Sequence, residues 1–86
     1  MSEPYQIRFT REAVKDVQKL TPKLKDKLKV ILGKVLAVNP SAGKALVGDL
    51  KGFFAYRLTL CDRIVYTVSE SERTIYIHRA RTHYGE

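Results

Sequence analysis

The sequence predicts an α+β fold in the order β-α-α-β-β-β, a small, mainly antiparallel sheet with a two-helix hairpin packed on one face. Three observations predict it. Apolar and polar residues alternate within the first ten positions. Apolar residues then recur at helical spacing across residues 13–35. After a glycine-punctuated stretch the alternation returns and continues almost to the end of the chain.

Each element follows from local chemistry. Tyr5-Gln6-Ile7-Arg8-Phe9 reads as a half-buried strand, because successive side chains of a strand point to opposite faces. Thr10 offers an N-cap oxygen and Glu12 suits the positive end of a helix over residues 11–20, with Ala13, Val17 and Leu20 on its apolar face. Thr21-Pro22 starts a second helix over residues 22–38, whose Leu24, Leu28, Ile31, Leu32 and Val35 share one stripe. Asn39-Pro40 ends it, since the residue before proline avoids helical geometry. The two helices share almost no linker, which predicts an antiparallel hairpin.

Residues 39–52 read as a connecting loop. Its Gly43-Lys44 lacks the earlier glycine of a phosphate loop, and Ala45 stands where the hydroxyl would be. Phe54, Tyr56, Leu58 and Leu60 then form one apolar row, and Ile64, Tyr66 and Val68 another. The rows face one core only if the intervening loop has an odd number of residues. A three-residue loop, Leu60-Cys61-Asp62, pairs Thr59 with Arg63 and Arg57 with Val65, so that Arg57, Thr59 and Arg63 emerge together on the face away from the helices. Ser69-Glu70-Ser71-Glu72 is the next turn, and residues 73–81 carry the last strand with Ile75 and Ile77.

Composition narrows function. A chain of 86 residues allows a single domain, 1–86. Sixteen basic residues against nine acids give a net charge of +7, which favours a polyanionic partner. All nine lysines precede Arg57, so residues 1–56 are strongly basic and residues 57–86, with five arginines and four acids, nearly neutral. There is no apolar run of signal-peptide or membrane-span type, so a soluble, cytoplasmic protein with no membrane partner is expected. The single Cys61 excludes an internal disulfide and a thiolate zinc site, and nothing in sequence activates it as a nucleophile.

The chemistry-bearing residues are Arg57, Arg63, Arg79, Arg81, His83 and Tyr84. Guanidinium forks match phosphate oxygens, while His83 titrates near neutral pH and Tyr84 can donate a proton. Taken singly, sheet-face arginines are ordinary solvated residues and a terminal His-Tyr is an ordinary chain end; their combination is what points to phosphodiester chemistry. His78 and His83 are five apart without a thiolate or carboxylate neighbour, and the acids fall at turns, so no metal or other cofactor is expected. Metal-free cleavage has one natural nucleophile, the ribose 2′-hydroxyl, which makes RNA the substrate. Lys23 and Lys27 share a stripe on the second helix, either a solvated face or a contact for phosphate backbone.

At these residues the chain resembles the RelE/ParE superfamily of bacterial toxins, and within it the RelE-like and YoeB-like mRNA interferases. The likeness covers nearly the whole chain. It rests on the lysine-rich helix pair, Leu50-Lys51-Gly52-Phe53 leading into a strand, Arg63-Ile64-Val65-Tyr66 and the terminal Arg81-Thr82-His83-Tyr84. The resemblance implies metal-independent cleavage of mRNA in the ribosomal A site, inhibition of translation, and a cognate antitoxin that forms a hetero-oligomer with the toxin. It implies that Arg63 holds the scissile phosphate, that Arg81 is a second phosphate-side arginine, and that His83 and Tyr84 form the acid-base end. Arg57 matches the first of two basic strand positions; from their own charge and placement, Arg79, Lys23, Lys27 and Lys44 are further candidate RNA contacts. Two departures stand out: Thr59 replaces the second basic position, and Lys44 falls near the glutamate that serves YoeB-like members as base. The general base is then His83 first, with substrate-assisted or water-mediated transfer as alternatives. A ParE-like toxin that inhibits DNA gyrase by binding, and a degenerate non-toxic partner protein, are the competing readings.

Overall fold

Two threonines set the helical layer. In the computed structural model, which describes residues 3–81, Thr10 Oγ1 accepts the Ala13 amide at 3.2 Å and opens α1 (Arg11–Gln18). Thr21 Oγ1 accepts the Leu24 amide at 3.3 Å and, with Pro22 in the first turn, opens α2 (Pro22–Val30). The second helix does not run on as predicted. It widens into a π-helix over Ile31–Leu36, where the Ala37 amide reaches the Leu32 carbonyl at 2.9 Å. The i→i+5 bonding leaves Leu36 and Ala37 on the buried side together with Ile31 and Leu32. Val35, half-buried, packs against the same core from its edge.

The sheet has five strands, β1 (Gln6–Phe9), β2 (Lys44–Ala45), β3 (Phe54–Arg57), β4 (Arg63–Ser69) and β5 (Thr74–Arg81), in the order β1-β5-β4-β3-β2. β1 runs parallel to β5 and every other pair is antiparallel. The short β2 lies within the stretch predicted as loop. Gly43 permits it: a Cβ there would sit 2.5 Å from the Tyr66 hydroxyl and 2.9 Å from the Ala55 carbonyl oxygen, so only glycine lets the backbone come this close.

The β3–β4 register differs from the one predicted. Arg57 pairs with Arg63, Tyr56 with Ile64, Ala55 with Val65 and Phe54 with Tyr66. The loop is therefore residues 58–62, five long rather than three. It is still odd, so both apolar rows reach the same core, and Arg57 and Arg63 still share the opposite face. Thr59 leaves that face. Its hydroxyl donates to Asp62 Oδ2 at 2.8 Å and accepts the amides of Cys61 (3.1 Å) and Asp62 (2.9 Å), a side-chain turn that closes the loop. Leu58 turns inward and is fully buried, whereas Leu60, predicted in the apolar row, is 89% exposed.

Ile64, Tyr66, Ile75 and Ile77 on the sheet meet Ala13, Leu28, Ile31, Leu32 and Leu36 of the helical layer in one core. Pairing between β4 and β5 slips at Val65/Tyr66: Tyr66 faces Ile77 but Val65 faces Arg79, which leaves His78 as an extra residue. This bulge turns Ala80 rather than Arg79 onto the core face opposite Ile64.

Candidate functional site

Direct cross-strand pairing brings two of the predicted residues together and sets a third beside them. Arg57 on β3 stands opposite Arg63 on β4, and Arg63 stands opposite Arg81 on β5. Three arginines thus occupy one row across three adjacent strands. Directly opposed side chains start roughly 5 Å apart, and like charges so placed destabilise a sheet. Arg57 and Arg63 are exposed, and neither has an ion-pair partner among the described residues. Two like charges that work against the fold and have no ion-pair partner among the described residues are suited to an external anion, whose charge removes the repulsion.

The row opens onto two depressions that share Lys44, Ala55 and Arg57. One, of about 320 Å³, is also lined by Leu46 and Arg63. The other, of about 450 Å³, extends past Gly43, Tyr56 and Thr59 to Lys27 on α2. Lys27, Lys44, Arg57 and Arg63 thus line two adjoining depressions, and among the described residues no carboxylate lines either of them. Lys23 is exposed one helical turn before Lys27, on the same stripe of α2 but outside the cleft lining.

Lys44 is held in place by a residue of the core. Tyr66, fully buried, donates its hydroxyl to the Pro40 carbonyl at 2.7 Å and accepts the Gly43 amide at 3.0 Å. Both ends of the turn Pro40–Ala42 are tied to the sheet this way, and Lys44 leaves it paired with Ala55. Burial raises the Tyr66 pKa, so the hydroxyl keeps its proton and remains a donor. The sequence carried a signal for this clamp: a tyrosine in an apolar row needs a partner for its hydroxyl.

Arg79 is engaged elsewhere. Its Nε donates to Asp16 Oδ2 at 2.8 Å and its Nη2 to Asp16 Oδ1 at 3.2 Å, while Glu12 lies 3.7 Å away. Asp16 Oδ2 also accepts the Ala80 amide at 3.0 Å, an edge group that β1 no longer covers once it has ended at Phe9. The buried Asp16 of α1 therefore seals the bulged end of β5, and Arg79 is half-buried in an intramolecular pair apart from the cleft. A charged residue at position 79, where strict alternation from Ile75 and Ile77 predicts a core side chain, was the sequence sign of the bulge.

His78, the extra residue of that bulge, places Nε2 2.9 Å from Thr67 Oγ1, and Phe53 packs edge-on against its ring with centroids 5.0 Å apart. Burial lowers its pKa. Cys61 is exposed in the loop. Among the described residues no group of three or more His, Cys, Asp or Glu could hold a metal ion, and no helix is long and apolar enough to cross a membrane. His83 and Tyr84 lie outside the described residues.

Comparison with known proteins gives this geometry a family. The sequence model described as ParE-like toxin of type II bacterial toxin-antitoxin system matches residues 7–85. The fold superposes on a chain of the RelBE2 toxin-antitoxin complex from Mycobacterium tuberculosis with a TM-score of 0.85 and 29% identity, covering 94% of this chain and 100% of that one. The YoeB/ParE toxin from Agrobacterium tumefaciens gives 0.82 and 26%, with 92% and 99% covered. A chain of the Escherichia coli RelBE complex, at 0.78 and 21% with 93% and 98% covered, shares the fold. No protein with a curated description matches.

Proposed function

Because this chain belongs to the ParE-like toxins of type II bacterial toxin-antitoxin systems, we propose that it is an mRNA interferase: a ribosome-dependent, metal-independent endoribonuclease that cuts mRNA in the ribosomal A site. The observation that carries the proposal is the exposed cross-strand pair Arg57 and Arg63, neither with an ion-pair partner among the described residues, opening on the depressions lined by Lys44 and Lys27, with Arg81 in register opposite Arg63 on β5. In the reaction the 2′-hydroxyl attacks the adjacent phosphorus and the bond to the 5′ oxygen breaks. The products are a 2′,3′-cyclic phosphate and a free 5′-hydroxyl. Negative charge grows on the non-bridging oxygens as the phosphorus becomes five-coordinate, and fixed guanidinium groups stabilise it without reorganising. Arg63, central in the row, takes that part, with Arg57 and Arg81 on either side. His83 removes the 2′-hydroxyl proton and Tyr84 supplies one to the departing 5′ oxygen. Lys44, Lys27 and Lys23 hold flanking phosphates, positioning the strand without reading its sequence. Several of the structural neighbours are toxin-antitoxin complexes, which supports a cognate antitoxin as the natural inhibitor.

A second reading, inhibition of DNA gyrase by binding, is favoured by the ParE-like description of the family that matches. Induction of the chain without an antitoxin separates the two. Primer extension on translated mRNA shows codon-register cuts if it is an interferase, and the combined change Arg63→Ala with His83→Ala removes both the cuts and the growth arrest. Arrest with DNA-damage signalling and no cuts supports the gyrase reading. Cuts that persist in the double variant overturn the assignment of these residues.

A further inference from the structure

The face that carries the arginines does not end with its cations. Residues two apart on a strand repeat about every 6.6 Å on one face, so the row of Arg57 and Arg63 is followed by Lys44, Ala55 and Val65, and then by Leu46, Phe53 and Thr67. The last row is fixed by the Leu46 amide, which donates to the Phe53 carbonyl at 2.9 Å and carries the β2–β3 pairing one step further. Next to it the β5 bulge lifts His78 out of the ladder, edge-on to Phe53 and hydrogen-bonded to Thr67. Both rings are half-buried, so each keeps surface open to solvent. Between the cations and the rings the floor is low, made by Ala55 and Val65, and Leu46 lines the same depression as Lys44, Arg57 and Arg63.

Resting on the endoribonuclease reading, we infer that Phe53 and His78 form a stacking platform for an unpaired RNA base flanking the phosphate held at the arginine row. A cationic track beside aromatic faces is how single strands are bound, the charges following the backbone and the rings taking bases of any identity. The two elements lie on one sheet face, about 13 Å apart along β3. His78 contributes a neutral π-face at pH 7, since burial disfavours its charged form. The edge-to-face contact with Phe53 at 5.0 Å, together with the Thr67 hydrogen bond, orients the His78 ring.

The chain has no tryptophan, so Phe53→Trp introduces a single reporter at the platform. Its emission is titrated with a short 2′-O-methyl oligoadenylate, which cannot be cut by 2′-hydroxyl attack, and with the same backbone lacking bases. Stacking predicts quenching by the oligoadenylate and none by the abasic strand. Phe53→Leu should weaken oligoadenylate binding about tenfold with the slope against salt unchanged, whereas Lys44→Ala should lower that slope. Equal affinity for the two strands, or a Phe53→Leu protein that binds as tightly as the unaltered one, overturns the platform. Ribosomes and cleavage play no part in this readout. A protein that stacks RNA but never cuts mRNA would refute the interferase and keep the platform, and one that cuts but binds abasic RNA equally well would do the reverse.

Discussion

A single hydroxyl, that of Tyr66, joins the core to the cleft. It satisfies the Pro40 carbonyl and the Gly43 amide at once, in a site where a Cβ on residue 43 has no room. Tyr66→Phe keeps the ring and its stacking on Phe54 but strips both backbone groups of their partner. It should cost about 1–3 kcal/mol of stability, measured by urea denaturation, and should weaken RNA binding through Lys44 more than Lys44-independent binding. A variant as stable as the parent would show that water replaces the hydroxyl without loss. His78 supplies a pH dependence at the same scale. Its folded pKa lies below the ordinary 6.5 because of burial, so below that pH the unfolded chain binds a proton more readily than the folded one. Its contribution is complete above pH 6.5 and is lost as pH falls through and below it. In denaturation curves His78→Gln should therefore be less sensitive to acid over this range than the parent, the carboxylate titrations being common to both.

At the scale of elements, the arginine row sets function against stability. Arg57 and Arg63 repel across a ladder whose other pairs, Tyr56 with Ile64 and Phe54 with Tyr66, are apolar. Arg63→Gln should stabilise the free protein by a few tenths of a kcal/mol while lowering cleavage about 10²- to 10³-fold. Thermal unfolding and a ribosome cleavage assay on the same preparation check both halves. A destabilised variant would mean that the guanidinium packs favourably and that the row carries no strain. This row was legible before the structure because parity alone places Arg57 and Arg63 together, whether the loop has three residues or five. What parity could not give was the loop itself. Thr59 and Asp62 close it through side-chain bonds that compete with strand pairing, and Leu58 gains more by filling the core than by continuing the strand. The π turn after Val30, the two-residue β2 and the bulge at His78 escaped for a related reason. Each depends on tertiary fit, Leu36 under the sheet, Gly43 against Tyr66 and Asp16 against the Ala80 amide, rather than on local preference. The ion pair with Asp16 also reassigns Arg79, which composition alone grouped with the phosphate-binding arginines.

Over the whole molecule the net charge of +7 divides by task. Lysines dominate the helical layer, where Lys27 reaches the cleft and Lys23 stands one turn away, and most of the arginines lie on strands. The Cα trace spans 39 × 32 × 23 Å, one sheet and one helical layer, and the arginine face has no second layer over it among the described residues. An open face of this kind excludes little water by itself. That accounts for the proposed dependence on the ribosome, which would complete the site around the strand, and for an antitoxin that need only cover one surface to silence it. In the proposed reaction fixed arginines drive attack by the RNA's own 2′-hydroxyl. Ribosomes programmed with an mRNA carrying a single 2′-deoxy sugar immediately 5′ of the A-site scissile phosphate test it most directly. The purified protein is expected to leave this message intact while cutting the all-ribose message to a 2′,3′-cyclic phosphate end. Equal cleavage of the two messages would contradict it.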